Sequence, residues 1–184
     1  EDRVAIIGAG RCNDIDLGQI IKGVGKLIIV DKDLEAMKGA IKQYELSANP
    51  KIECLTKNII GLSVQDYRQY AEHMVSAVRR KGLATSIESL VQIALVEINT
   101  LVSQMIISRW EKGQFDVVIT IGLHSQLLSM IEWIWQVILQ TLGKQEETVR
   151  QYLMNVNEKL VCALNTAILE ATTKKWIVGC ELER

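Results

Sequence analysis

Apolar residues in the first sixty positions follow two patterns, short continuous runs and helical spacing. The continuous runs predict buried strands at residues 4–8 (VAIIG) and 26–31 (KLIIVD), and residues 51–56 (KIECLT) predict a third strand. Residues 14–24 instead place Leu, Ile and Val at the i, i+3, i+4 and i+7 positions of a helix, with Asn13 or Asp14 as its cap. Residues 34–45 follow as a second helix. Strands and helices in alternation predict βαβ units on a parallel sheet.

The pattern changes after the third strand. Residues 63–110 have helical spacing, and capping-box pairs at Ser63 with Asp66 and at Thr85 with Glu88 predict that two helices begin there. The sheet then resumes. The later elements are a strand at residues 115–123 (FDVVITIGL), helices at about 125–142 and 145–172, and a last strand at 176–182 (WIVGCEL).

Together these elements predict an α/β, Rossmann-like fold. A mainly parallel sheet is flanked by helices, and a helical insertion lies between strands three and four. We divide the chain into the cofactor-binding half of the core (residues 1–62), the helical insertion or cap (63–112) and the remainder of the core (113–184). These parts form one domain, which we expect to be incomplete at its ends.

Composition and charge narrow the classes of function. Of the 184 residues, 48% are hydrophobic, which excludes a disordered chain. The net charge is −1 and the basic residues are scattered, so we expect neither a nucleic-acid partner nor a membrane partner. Four cysteines, none in zinc-ligand spacing, predict no metal site and a reduced, cytoplasmic protein; they are Cys12, Cys54, Cys162 and Cys180.

The turn after the first strand carries the candidate chemistry. Gly8 and Gly10 give a GxG turn in which a ligand can approach the backbone, and Asp31 lies 23 positions after Gly8, where a ribose-binding carboxylate is expected. Asp14 and Asp16 follow the turn. Their charges would repel a pyrophosphate and attract the sulfonium and ammonium groups of S-adenosylmethionine, although a capping role alone also explains them.

Four segments give the chain a family resemblance: VAIIGAG, LIIVDKD, ECLTKNIIGL and FDVVITIGLHSQL. On these segments the chain resembles the class I S-adenosylmethionine-dependent methyltransferases. The resemblance implies that S-adenosylmethionine is the cofactor and that its methionine part packs on the glycine loop. Residues that it assigns to cofactor binding are Gly8, Ala9 and Gly10 in that loop, Asp31 at the ribose, Lys32 and Asn58 near the adenine, and Thr120 and Gly122 beside the methyl-transfer site.

The chain departs from the family pattern at several positions. The acid that often precedes the first glycine is replaced by Ile6, and the third loop glycine is replaced by Cys12. After the fourth strand the sequence is GLHSQL, without the proline-rich motif of amino-group methylating enzymes. His124 in this stretch is a candidate general base, or else a histidine bound to backbone at a helix start.

Three functional readings follow from these residues. The first is a methyltransferase acting on a small-molecule acceptor. The second is an NAD-type dinucleotide-binding oxidoreductase, and the third is a non-catalytic methyltransferase-like binding protein. The segment at 86–110 is apolar on more than one face, which also predicts a homodimer.

Overall fold

A computed structural model describes residues 2–81 and 86–179. Within these residues the elements are β1 (Arg3–Ile7), α1 (Leu17–Ile20), β2 (Lys26–Asp31), α2 (Leu34–Gln43), β3 (Ile52–Thr56), α3 (Val64–Lys81), α4 (Ile87–Gln104), β4 (Phe115–Ile121), α5 (Leu123–Gln126), α6 (Ser129–Leu142), α7 (Thr148–Ala171) and β5 (Thr172–Gly179). The predicted cap Thr85, the cysteine Cys180 and the predicted strand residues 181–182 lie outside the described residues.

The five strands form one sheet in the order β3-β2-β1-β4-β5, and every neighbouring pair is parallel. In the centre of the sheet Ile6 pairs with Ile29 on one side and with Ile119 on the other. The predicted α/β class, with a parallel sheet flanked by helices, is therefore confirmed and is consistent with a Rossmann-like fold.

Burial explains why the first two strands were recognisable as continuous apolar runs. Four consecutive residues are buried in β1 and four in β2, because both faces of a central parallel strand are covered. On one face Val4, Ile6 and Leu27 belong to a cluster that also contains Leu17 from α1 and Met37 from α2.

The last strand begins four residues before the predicted position, at Thr172 rather than Trp176. The early part of β5 is the polar run Thr172–Lys175, which lacks an apolar pattern because β5 lies at an edge of the sheet. Such a strand pairs on one side only, so its polar residues remain in water.

The first helix is shorter than predicted. A turn in which Cys12 N–H donates to Ala9 O and Ile15 N–H donates to Cys12 O delays the helix until Asp16. Asp16, not Asn13 or Asp14, is the N-cap of α1, because its carboxylate accepts the Gln19 N–H at 3.0 Å. A single 3-10 turn at residues 21–23 continues the helix.

Contacts between residues divide the chain into two compact units. The sheet unit comprises Glu1–Ile59, Ile107–Ser125 and Ala163–Arg184, and the helical unit comprises Ile60–Ile106 and Gln126–Cys162. The interpretation of residues 63–112 as an insertion or cap stays a prediction.

The helical unit has a core of its own, formed by α3, α4, α6 and the first part of α7. Its fully buried side chains include Tyr70, Met74, Leu90, Ala94, Ile98, Ile131 and Trp135. The predicted capping box of α3 is confirmed: Ser63 N–H donates to the Asp66 carboxylate at 2.7 Å and Asp66 N–H donates to Ser63 Oγ at 3.3 Å. Burial raises the pKa of the Tyr70 hydroxyl well above its usual range, and the nearby Glu97 carboxylate adds to the effect.

Among the helices of residues 2–81 and 86–179, none is both long enough and apolar enough to cross a membrane.

Candidate functional site

The candidate residues meet at the carboxyl ends of the strands. Because all five strands are parallel, Gly8 after β1, Asp31 at the end of β2, Asn58 after β3 and Gly122 after β4 belong to one edge of the sheet. The order of the strands reverses between β1 and β4, so that edge contains a topological switch point. In open α/β sheets this is where ligands bind.

Gly8 is fixed at the start of the loop by its surroundings. Its φ is +72°, its N–H donates to Val30 O at 2.9 Å, and a Cβ built on it would lie 2.6 Å from Leu123 Cδ1. No other residue type fits this position without strain or displacement. The loop after β1 therefore lies in close contact with Leu123, the first residue of α5.

Gly10 lies in a different environment two residues later. It also has a positive φ, +49°, but a Cβ built on it would meet no atom within 4 Å. The backbone of Gly10 therefore faces open space. A ligand can approach it as the sequence predicts for the second glycine of a GxG turn.

Asp31 connects β2 to this loop through its carboxylate. Its Oδ2 accepts the Gly10 N–H at 2.8 Å, and its Oδ1 accepts the Asp33 N–H at 2.9 Å. An ionised carboxylate has about four lone-pair positions. Each oxygen of the half-buried Asp31 consequently retains capacity for one further donor, such as a ribose hydroxyl.

A groove of about 410 Å³ begins beside the loop. It lies between Arg11, which follows Gly10, and the length of α2, and its lining includes Asp33, Glu35 and Gln43, the last residue of that helix. Lys32, which the family resemblance places near an adenine, is exposed. The groove is thus lined by sequence neighbours of Gly10 and Asp31, namely Arg11 and Asp33, and not by Gly10 or Asp31 themselves.

The loop after β3 is held by two connections. Lys57 N–H donates to Asp31 O at 2.9 Å, and the Ser108 hydroxyl donates to the backbone carbonyl of Asn58 at 2.7 Å. The Lys57 ammonium also lies 5.2 Å from the centre of the Trp110 ring, a cation–π distance. Ser108 and Trp110 were missed by the sequence reasoning, because no pattern marks a contact between positions some fifty residues apart.

Cys12 is buried beneath the loop with a φ of +52°. Burial raises the pKa of its thiol to about 11, and the charges of the Asp31 carboxylate and of Cys54 add to the effect. Cys12 therefore remains a neutral thiol at physiological pH. Asp14 and Asp16 are both exposed, and Asp16 is engaged as the cap of α1.

Thr120 and Gly122, at the end of β4, have structural contacts. Thr120 is fully buried, and its hydroxyl accepts the Trp176 Nε1–H at 3.1 Å. Gly122 is buried and its N–H donates to Gly179 O at 3.0 Å. Both residues lie at the predicted edge, and their hydrogen bonds join β4 to β5.

His124 is half-buried on the short helix α5. Its Nε2 lies 2.9 Å from Asn165 Oδ1, and its ring meets the Trp176 ring edge to face, with centroids 5.9 Å apart and planes at 61°. Ser125 lies within α5, and its hydroxyl donates to Gly122 O at 2.9 Å. His124 is therefore oriented by two side chains from distant parts of the chain.

Within the described ranges, no group of three or more His, Cys, Asp or Glu side chains has the arrangement of a metal site. Comparison of the chain with protein-family models, with curated proteins and with solved structures finds no significant match.

Proposed function

We propose that this protein binds S-adenosylmethionine at the carboxyl ends of β1 and β2 and transfers its methyl group to a small-molecule acceptor. The observation that carries the proposal is the Asp31 carboxylate, which lies 2.8 Å from the Gly10 N–H beside open space. A negative charge and an approachable backbone are thereby combined at the switch point of the sheet.

The charge of this loop favours a cationic ligand over a dinucleotide. A pyrophosphate needs backbone N–H groups at a helix N-terminus and no negative charge nearby. Here the Gly10 N–H is already bound to a carboxylate, and α1 is a single turn that begins only at Leu17. The dinucleotide alternative is therefore disfavoured, whereas the sulfonium and ammonium groups of S-adenosylmethionine would be attracted.

Each part of the cofactor has a residue suited to it in this proposal. The two carboxylate oxygens of Asp31 would accept the ribose hydroxyls, and the backbone of Gly8, Ala9 and Gly10 would contact the methionine part. Lys32 and Asn58 would border the adenine. Asp14 would contribute negative charge without direct contact.

Methyl transfer requires little from the protein beyond positioning. The sulfonium is an activated donor, so the chain must align the acceptor and exclude water. A general base is needed if the acceptor loses a proton. His124, which directly follows the residue packed on Gly8, is our candidate for that base.

The test is calorimetric titration with S-adenosylmethionine, S-adenosylhomocysteine and NAD. Asp31→Asn should weaken both sulfur nucleosides by about 100-fold, since two charge-assisted hydrogen bonds contribute roughly 3 kcal/mol. Asp116→Asn is the matched control. Asp116 accepts the Arg3 N–H at 2.8 Å near the start of β4, at the opposite edge of the sheet.

Two results would overturn the proposal. One is tight binding of NAD with none of S-adenosylmethionine. The other is an Asp31→Asn variant that binds as well as the Asp116→Asn control. Binding of the cofactor without turnover of any acceptor would instead favour the non-catalytic methyltransferase-like protein.

We also propose a cytoplasmic homodimer in which residues 63–112 form an insertion between strands three and four. The apolar character of α4 supports the dimer: Leu90, Ala94 and Ile98 lie on its buried face, while Val96 is 63% exposed. Sedimentation velocity at several concentrations tests the dimer, and a single monomer peak throughout would exclude it.

A further inference from the structure

The helix α6 is apolar on two opposite sides. Met130, Trp133 and Val137 follow one another at intervals of three and four residues, which places them on one side of the helix, here called the α6 face. Their exposed fractions are 47%, 62% and 39%. Five buried residues lie on the other side, namely Ile131, Ile134, Trp135, Ile138 and Leu139. The described part of the chain therefore covers one apolar side of α6 and leaves the α6 face in solvent.

The α6 face also lacks charge. Glu132 is the only charged residue among the 14 of this helix, and its carboxylate lies 3.4 Å from Arg150 Nε. The other exposed residues of α6 are polar but uncharged, and they are Ser129, Gln140 and Thr141. A surface helix normally places charged residues towards solvent, as α3 does with the exposed Arg68 and Glu72. The α6 face thus differs from an ordinary solvent-facing side.

The absence of charge favours a second copy of this chain as the partner. A two-fold dimer brings the same surface of both subunits together, so a charged surface would place like charges near each other. The α6 face contains no such charge, and Trp133 at its centre is of the residue type that most often anchors protein interfaces. A membrane surface fits less well, because α6 contains no Lys or Arg to bind anionic headgroups.

We propose that two copies of this protein associate about a two-fold axis through the α6 face. This inference rests on the proposed homodimer and names the surface that forms it. One helix face is smaller than a standard interface, which buries about 800 Å² on each partner. We therefore expect a reversible dimer with a Kd of about 10 to 100 µM.

The exposed side of α4 is the alternative surface within the same unit. Val96 is 63% exposed, but its neighbours one turn away, Gln92, Asn99 and Thr100, are exposed and polar. Val96 is therefore an isolated apolar residue, whereas Trp133 has an exposed apolar neighbour on either side along the helix. Because Val96 and Trp133 are almost equally exposed, a charge at Val96 is the matched control for a charge at Trp133.

The first arm of the test is sedimentation velocity between about 1 and 300 µM, a range that brackets the expected Kd. The sedimentation coefficient of the wild type should rise with concentration. Trp133→Glu and Met130→Glu should each raise the Kd by at least about tenfold, whereas Val96→Glu should change it by less than about twofold. All three side chains are exposed, so circular dichroism should show the same helix content in every variant.

The second arm tests whether the partner is the same face of a second copy. Val137→Lys and Val137→Glu each place a like charge on both sides of a two-fold contact, so each variant alone should be monomeric. An equal mixture of the two at low salt should associate more tightly than either variant alone, because opposite charges then meet. A mixture as dissociated as its two components would overturn the two-fold arrangement.

The outcomes separate this inference from the proposals on which it rests. If Val96→Glu dissociates the dimer and Trp133→Glu does not, the homodimer stands and the α6 face is wrong. A wild type that is monomeric at every concentration would overturn both. Neither arm uses S-adenosylmethionine, so failure of the methyltransferase function is recorded separately by the calorimetric titration.

Discussion

The candidate site has two parts, one at the carboxyl ends of β1 and β2 (the β1–β2 end) and one at the carboxyl ends of β4 and β5 (the β4–β5 end). The contacts within the two parts are made in part by different groups. At the β1–β2 end the contacts are made by backbone N–H groups, with Gly8 bound to Val30 O and Gly10 bound to the Asp31 carboxylate. At the β4–β5 end the Gly122 N–H likewise donates to Gly179 O, and side chains add two contacts, with Trp176 bound to Thr120 and His124 facing Asn165. Glycines contribute at both ends, and the β4–β5 end adds two contacts between side chains.

The difference indicates that the two ends are suited to different roles. Gly10 faces open space, so the β1–β2 end suits a ligand that contacts the main chain. Thr120 is fully buried, so the contacts of the β4–β5 end begin in the interior of the sheet unit. These contacts fix the ring of His124. In the proposed function, the first end binds the cofactor and the second positions a base.

The largest expected effect comes from adding a side-chain atom at Gly8, where the loop after β1 contacts Leu123 after β4. Gly8→Ala would place a Cβ 2.6 Å from Leu123 Cδ1 at a φ of +72°. Left-handed strain and overpacking together should cost about 3 kcal/mol of the free energy of unfolding, measured by urea denaturation. A Gly8→Ala/Leu123→Ala double variant should lose less than the sum of the single variants.

Gly10→Ala and Gly143→Ala are matched controls for this experiment. Both glycines have positive φ, and neither would bring a Cβ within 4 Å of another atom. Each substitution should therefore cost only the conformational strain, about 1 to 2 kcal/mol. A Gly8→Ala variant no less stable than these two would show that the Leu123 contact is unimportant.

The second prediction concerns pH at the β1–β2 end. Burial raises the pKa of Cys12 to about 11, from 9.0 in the unfolded chain. The unfolded state therefore loses its proton first, and stability that is present below pH 9 falls as pH rises towards 11. We expect this group to account for a loss of about 2 kcal/mol by pH 10.5.

The measurement is the free energy of unfolding of the wild type and of Cys12→Ala between about pH 8 and pH 10.5. The difference between the two isolates Cys12 from other groups, such as Tyr70, whose pKa is also raised by burial. If the free energies of unfolding of the two proteins change in parallel over this pH range, the fold does not raise the pKa of the Cys12 thiol.

The third prediction tests the β4–β5 end. Thr120→Val keeps the shape of the side chain but leaves the Trp176 indole N–H without its acceptor, which should cost about 1 to 2 kcal/mol in urea unfolding. Thr120→Ser keeps the hydroxyl and serves as the control. If Val is tolerated better than Ser, packing rather than the hydrogen bond stabilises this end.

The same comparison explains which parts of the molecule were predictable. The strands β1 and β2, the glycine loop and Asp31 follow one another within 31 residues, and each has a local pattern: a buried run, a turn, a strand end. The α/β class and the place of Gly10 and Asp31 at one edge could therefore be predicted from the sequence.

The β4–β5 end could not be predicted in the same way. His124 is a recognisable candidate in the sequence. Nothing in the sequence distinguishes Asn165 and Trp176 from other polar or aromatic residues, and only the fold brings them next to His124. The capping of α1 was missed for a related reason. Residues 14 and 15 belong to the turn at Cys12, whereas the apolar spacing alone would assign them to the helix.

The smallest expected effect separates the two acids that follow the glycine loop. Asp16→Ala should cost about 1 kcal/mol of the free energy of unfolding, because its carboxylate caps α1 by accepting the Gln19 N–H at 3.0 Å. Asp14 is exposed, so Asp14→Ala should change stability by less than about 0.5 kcal/mol. Both variants remove one negative charge, so each should weaken S-adenosylmethionine by a similar factor, about twofold at low salt. Equal losses of stability would show that the cap is not what distinguishes the two acids. An unchanged affinity in both would remove them from the electrostatics of the β1–β2 end and leave the carboxylates of Asp31, Asp33 and Glu35 as its negative charges.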